Sequence, residues 1–390
     1  MVFTVVLGKV KSIHYLRGIA ALMVVFYHLK ATLNDVYAQK DLGDMLFNSG
    51  AFGVDLFFII SGFIICYSTE RKESFMPLKY LLRRFFRIYP LLFVSLIVTY
   101  LFISNQGGFS FLLRSAIPLN TNYDAGSPFF GYNLLGPAWT LSYEIAFYAL
   151  FLLSFVLSHR FRWLICSGLI LLFVLGVQYY YTGGVTLLAY NSNNFATGTI
   201  WHAPLTFLSS PLFINFIYGL VAYKLILFIQ SITLSDRIKR TLTLFSLFLF
   251  LISSLVILSV QVYGHGPLLW GAWCFALVVS ALIFEMNNNL RDIKPLSFLG
   301  DVSYSLYLTH AILIEIFRKN PEVFTLFNNQ KGFSQVIYLV ILSLFLAYFV
   351  HHLIEKTFIS VGKMLISKIG TKRNHTHKKT KLEGALSADQ

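Results

Sequence analysis

Apolar residues run along this chain in long blocks separated by short polar stretches. Ten blocks stand out, at about 13–33, 52–69, 88–104, 137–157, 162–181, 205–229, 241–262, 267–285, 296–316 and 334–356. Each is close to the roughly 20 mostly apolar residues that a helix needs to cross a hydrocarbon core. The pattern predicts an all-α, polytopic membrane protein of about ten transmembrane helices. The stretch 109–118 reads as an interfacial helix, and 182–204 as a loop rich in Asn, Thr and Gly without Lys or Arg. Residues 1–361 form the membrane domain in this reading, and 362–390 a basic tail.

Composition agrees with the pattern. The chain is 56% hydrophobic and only 12% charged, whereas a soluble domain carries roughly a quarter charged residues. Too few ionisable groups remain to cover a water-facing surface, so lipid must cover much of it. The net charge of +14 does not point to nucleic acid, because the positive residues sit in short loops and in the tail. One side collects Lys9, Lys11, Arg71, Lys72, Lys79, Arg83, Arg84, Arg87, Arg160, Arg162, Arg237, Lys239, Arg240, Arg291, Lys294 and the tail. The other collects Lys30, Lys40, Arg114, Arg318, Lys319 and Lys331. The asymmetry puts both termini in the cytosol, and an even number of spans agrees. The expected location is the bacterial inner membrane, crossed many times. Lys9 and Lys11 follow a short first apolar run, the wrong order for a cleavable leader. Cys66, Cys166 and Cys274 lie in apolar runs without metal-site spacing, and no metal is expected.

Ionisable residues inside spans are costly and functional by default. Arg17 and His28 share the first span. Eleven residues at 100° each bring them to one helix face, roughly 16 Å apart along the axis. Alone, the pair fits an Arg that reaches head groups and a His that bonds a carbonyl. Asp55, Glu144 and His310 alter that balance, because all three fall at depths similar to His28 under this topology. A shared polar chamber explains the coincidence. Asp55 or Glu144 would then orient the His28 imidazole. Ser303, Tyr307 and His310 recur at i, i+4 and i+7, one helix stripe. Gly53, Ser61 and Gly62 are small enough to let helices approach closely.

The segment RRFFRIYP carries the second constellation. Arg83 and Arg87 share a helix face, Arg84 lies off it, and Pro90 is expected to close the segment. One reading is positive-inside anchoring on anionic lipid. The other is a phosphate clamp, since the planar guanidinium matches phosphate geometry.

Five segments in order, LRGIAALMVVFYH, FGVDLFFIISGF, RRFFRIYP, WTLSYEIAFY and GDVSYSLYLTH, resemble the acyltransferase-3 family of integral membrane O-acyltransferases. The likeness covers most of the chain and is of the stand-alone type. It implies about ten helices, acetyl-CoA or another acyl-CoA as donor, and a glycan or lipid-linked glycan as acceptor. It also implies a catalytic His at His28, its accompanying Arg at Arg17, and a cytosolic Arg motif at Arg83, Arg84 and Arg87. In HHLIEKTF, Thr357 stands where the family often has Pro after a Glu, which leaves Glu355 without an assigned role. His28 would act as base or carry the acyl group itself. A transporter or flippase is the rival reading, but the internal repeats and interrupted helix pairs usual there are not evident.

Overall fold

The computed structural model describes residues 10–369, apart from 104–107, 118–119, 121, 191–199, 260–261, 321 and 323–330. Helices and turns make up the described residues, with no strand among them. In chain order the main helices are α1 (Lys11–Leu29), α2 (Gly53–Ser68), α3 (Met76–Phe102), α4 (Gly108–Ala116), α5 (Trp139–Leu157) and α6 (Arg162–Leu171). They continue with α7 (Ile214–Ser231), α8 (Asp236–Leu258), α9 (Trp270–Asn287), α10 (Lys294–Lys319), α11 (Phe333–Val350) and α12 (Lys356–Lys368). A π turn, Leu172–Val177, extends α6 to Thr182, and a second, His351–Glu355, joins α11 to α12 without a break.

Among the described residues, nine helical stretches are long and apolar enough to cross a membrane, namely those built on α1, α2, α3, α5, α6, α7, α8, α9 and the joined α11–α12. The tenth expected span is α10. It has ample length, 26 residues, but carries Asp301, His310, Glu315, Arg318 and Lys319. Much of α10 is buried, packed between α1 and α11. A helix surrounded by protein does not need an apolar perimeter.

Two ends differ from the expected spans. α3 does not stop at Pro90 but runs through it for 27 residues, about 40 Å at 1.5 Å per residue. That is longer than the hydrocarbon core, so its basic first half extends beyond it. Proline removes the backbone donor that Phe86 O would otherwise accept from, and two residues on, the Tyr304 hydroxyl from α10 donates to Ile88 O (2.8 Å), tying this part of α3 to its neighbour. At the other end, α12 continues to Lys368, with Gly362 against the Phe86 ring. The described beginning of the expected tail is therefore helical, and 370–390 lie outside the described residues.

Glycines set the closest approaches. A Cβ on Gly62 of α2 would sit 2.3 Å from Phe216 O of α7, and one on Gly219 of α7 would sit 2.0 Å from Ile59 O. Only hydrogen at both positions allows α2 and α7 to meet backbone to backbone. Gly18 of α1 and Gly300 of α10 cross in the same way, 2.6 Å from a Gly18 Cβ to Gly300 N. α1 and α10 run parallel. His14 meets Ser297 O (3.0 Å), Arg17 donates to Gly300 O (2.7 Å), and the rings of His28 and His310 lie 5.1 Å apart. The first turn of α1 is capped from α9, where Glu285 accepts from Lys11 N (2.8 Å) and Ser12 N (2.9 Å). A carboxylate is well placed against the unpaired amides of a helix start.

Candidate active site

A cavity of about 460 Å³ lies between α1, α2, α3, α5, α10 and α12. That size lies within the range of small-molecule sites, roughly 300–1,000 Å³. Arg17, Arg83, Arg84, Arg87 and Lys363 line it toward the basic face. Glu144 and Ser61 stand in its wall, and Thr140 and Tyr307 are also in the lining. All four arginines singled out in the sequence thus converge on one space. Arg84 is included although helical spacing put it off the face of Arg83 and Arg87. The three fan out, Arg83 to the loop before α3, Arg84 to α5 and Arg87 to the α11–α12 junction. Arg83 binds Glu73 with both carboxylate oxygens 2.7 Å from one guanidinium nitrogen. Arg87 pairs with Glu355. Arg84 lies over the rings of Tyr148 (5.2 Å) and Tyr80 (5.8 Å).

Their remaining donors differ. Arg17 Nε and Arg84 Nε are buried and have no acceptor among the described residues. A buried donor without a partner costs free energy, and native structures keep few of them. Both residues belong to the lining of a cavity rich in cations.

Glu144 accepts from Ser61 Oγ (2.9 Å) and from the hydroxyl of Tyr148, one turn further along α5. Thr140 Oγ1 and Tyr307 OH share a hydrogen bond of 2.9 Å, and both reach Pro137 O at 3.1 Å. Two hydroxyl hydrogens therefore serve three contacts, so either hydroxyl must give up one of these bonds to donate to a ligand. The Tyr307 ring lies 6.1 Å from the ring of His310, which in turn neighbours His28. His310 is fully buried, while His28 is partly exposed. His310 Nδ1 meets Leu306 O (2.9 Å) and must donate there, so Nε2 carries the lone pair. That Nε2 is buried without a partner among the described residues.

Asp55 is not part of this group. The sequence made it one of two candidates to orient His28, but the structure gives it another imidazole. Asp55 Oδ2 meets His265 Nδ1 at 2.7 Å, and Oδ1 accepts from Asn215 Nδ2 (2.7 Å) and Gly266 N (2.9 Å). Glu144, the other candidate, is engaged with Ser61 and Tyr148. The side chain that does lie beside His28 is His310. Three participants escaped sequence reasoning: His265, Tyr148 and Glu355. Tyr148 had a legible signal, its i+4 spacing from Glu144. Glu355 is buried and binds Arg87, Ser305 Oγ (2.7 Å) and His351 Nδ1 (3.0 Å). The π turn at His351–Glu355 contains both ends of the last contact.

These features define a class: a many-helix membrane protein with a basic internal cavity whose wall includes Tyr307, next to a histidine pair. The chain belongs to the acyltransferase-3 family, whose profile, described as an acyltransferase domain, matches residues 10–352. It is similar to the exopolysaccharide production protein ExoZ of Rhizobium meliloti strain 1021, 26% identical over 277 residues, covering 70% of this chain and 79% of that protein. It also resembles the peptidoglycan O-acetyltransferase OatA of Listeria monocytogenes, 23% identical over 346 residues, 79% of this chain and 50% of that protein. The acyltransferase MdmB of Streptomyces mycarofaciens matches at 28% over 169 residues, 39% of this chain and 41% of that protein. No solved structure matches the chain significantly. The protein is an acyltransferase held in a membrane by many helices.

Proposed function

We propose that this enzyme moves an acetyl group from acetyl-CoA, taken from the cytosolic side of the bacterial inner membrane, to a hydroxyl of a cell-surface glycan. One observation carries the reading. The cavity has guanidinium donors without acceptors in one wall and Tyr307 in another, beside His310 and His28. Phosphate oxygens of the donor's nucleotide suit Arg17 and Arg84, whose Nε atoms lack acceptors, with Lys363 beside them. Arg83 and Arg87 are held in place by Glu73 and Glu355 and keep further donors for the same anion, because a guanidinium has five. The names of two relatives, an exopolysaccharide production protein and a peptidoglycan O-acetyltransferase, support a glycan acceptor.

In this reading His28 takes the proton of the acceptor hydroxyl as its oxygen bonds to the thioester carbon. The C–S bond breaks, and the proton passes from the imidazolium to sulfur to give the free thiol. Tyr307 exchanges its bond to Pro137 O for one to the charge that develops on the thioester oxygen, while Thr140 keeps that carbonyl satisfied.

The test is release of free thiol from acetyl-CoA by the purified protein, with and without surface polysaccharide stripped of its acetyl groups by mild alkali. Release that depends on the polysaccharide supports the reading. Polysaccharide movement across proteoliposomes without thiol release would replace it with a transporter.

A further inference from the structure

On the side of His28 away from the basic face, four tyrosines gather. The Tyr27 ring packs edge-on to the His28 ring at 5.3 Å. Tyr27 lies within electrostatic reach of Tyr132, Tyr190 and Tyr263, and Tyr190 within reach of Tyr263. Tyr132, Tyr190 and Tyr263 are 53%, 46% and 46% exposed, enough to present ring area to a ligand. Nothing in the acyl-transfer step described above uses them.

The group rests on the Asp55 network. His265, held by Asp55, stacks on Tyr190 with centroids 6.1 Å apart and planes 27° from parallel. Its backbone N–H also approaches the Tyr190 hydroxyl (3.4 Å). Trp270 and Trp139 pack edge-on to the His265 ring at 5.2 and 5.8 Å. The flanking Gly264 and Gly266 have φ of 125° and 122°, values that L side chains rarely adopt. So the loop carrying His265 is fixed by the buried carboxylate beneath it and by backbone that only glycine tolerates.

We infer that the acceptor glycan docks on this tyrosine mouth beside His28, and that Asp55 is a positioning residue which acts through His265 on Tyr190. The inference rests on the functional reading above and names its acceptor subsite. Tyrosine suits a sugar for two reasons. Its flat face packs on the C–H face of a pyranose, and its hydroxyl bonds sugar hydroxyls, while few torsions must be frozen. Burial pushes the Tyr190 phenol above its ordinary range, so it stays a neutral donor at physiological pH. The rim is polar but charge-compensated. Lys30 pairs with Asp44 (2.9 Å) and donates to Asn48 Oδ1 (2.6 Å), and Tyr263 OH donates to the same oxygen (3.2 Å). A compensated rim fits uncharged sugar hydroxyls better than an anionic head group. Tyrosines of an interfacial belt line a membrane protein's perimeter, whereas Tyr27 packs on His28, Tyr190 on His265 and Tyr263 on Trp270.

The experiment measures half-saturation for both substrates with the full-length protein in nanodiscs, using alkali-deacetylated host polysaccharide as acceptor. Tyr190→Ala and Tyr263→Ala are each expected to raise acceptor half-saturation about fivefold, with that for acetyl-CoA within about twofold. Tyr190→Phe keeps the stacking face and should recover most of the loss. Asp55→Asn should show the same acceptor-specific signature. Unchanged acceptor half-saturation in both alanine variants overturns the mouth and leaves a membrane belt. A fall in kcat alone for Asp55→Asn overturns its positioning role. If the wild type transfers no acetyl group, the functional reading fails, and the mouth is judged on binding alone. Polysaccharide would then quench the tryptophan fluorescence of the wild type but not of Tyr190→Ala. No quenching in the wild type overturns the mouth as well.

Discussion

The basic cavity and the cage around Asp55 both bury charge, yet they finish it differently. Asp55 is closed: three donors from α7 and the loop before α9 reach its two oxygens at 2.7 to 2.9 Å. In the cavity, Arg83 and Arg87 are paired, but Arg17 and Arg84 keep buried nitrogens without acceptors. A closed network fixes geometry, because loss of any partner strands another. An open one awaits a ligand that completes it. Asp55 itself is complete, although Asn215 Oδ1 and Trp270 Nε1 around it lack partners among the described residues, so the contrast lies in the charged groups: the unpaired charge is in the cavity, where an anionic donor would complete it.

The comparison breaks most sharply at Glu355, the closed element inside the open site. Glu355→Ala strands Arg87, Ser305 and His351 together. Removing one partner of a buried pair costs about 3–5 kcal/mol. A marked fall in the thermal midpoint of the detergent-solubilised protein is expected, and an unchanged midpoint would mean that Arg87 finds another acceptor. A smaller effect should come from Gly62→Ala. α2 carries Asp55 toward one region and Ser61 toward the other, so pushing it off α7 disturbs both. Overpacking of this kind costs about 1–3 kcal/mol, read as a lower midpoint with weaker binding of both substrates. Smaller still are the arginine effects. Arg84→Gln should raise acetyl-CoA half-saturation about tenfold, the scale of one hydrogen bond to a charged group. Arg83→Gln should raise it only about threefold, since Glu73 already competes for that side chain. Equal effects would erase the distinction between open and paired arginines.

Much of this was legible in the sequence, for reasons of range. Hydropathy is local, so the spans could be read, including α10 despite its polar residues. Helical periodicity is also local. It placed Arg17 and His28 on one face of α1, and that face meets α10 along Gly300 and His310. What failed depended on contacts far apart in sequence. Asp55 and His265 are 210 residues apart, and Arg87 and Glu355 are 268 apart. No spacing rule connects such positions, so the sequence offers Asp55 or Glu144 as the partner of His28 and leaves Glu355 without a role. Pro90 failed for a different reason. Its cost to a helix is real in water, but inside the bundle α3 is held by its neighbours, with Tyr304 of α10 bonded to Ile88 O.

The central claim is that His28 performs acetyl transfer to a surface glycan. Mass spectrometry of surface glycans tests it most directly, in cells carrying the wild type, His28→Ala or an empty vector at matched membrane expression. The account predicts a gain of one acetyl group per modified unit in the wild type alone, with a loss of at least about 100-fold in His28→Ala. Equal acetylation in His28→Ala would contradict it and shift the chemistry to His310 and Glu144.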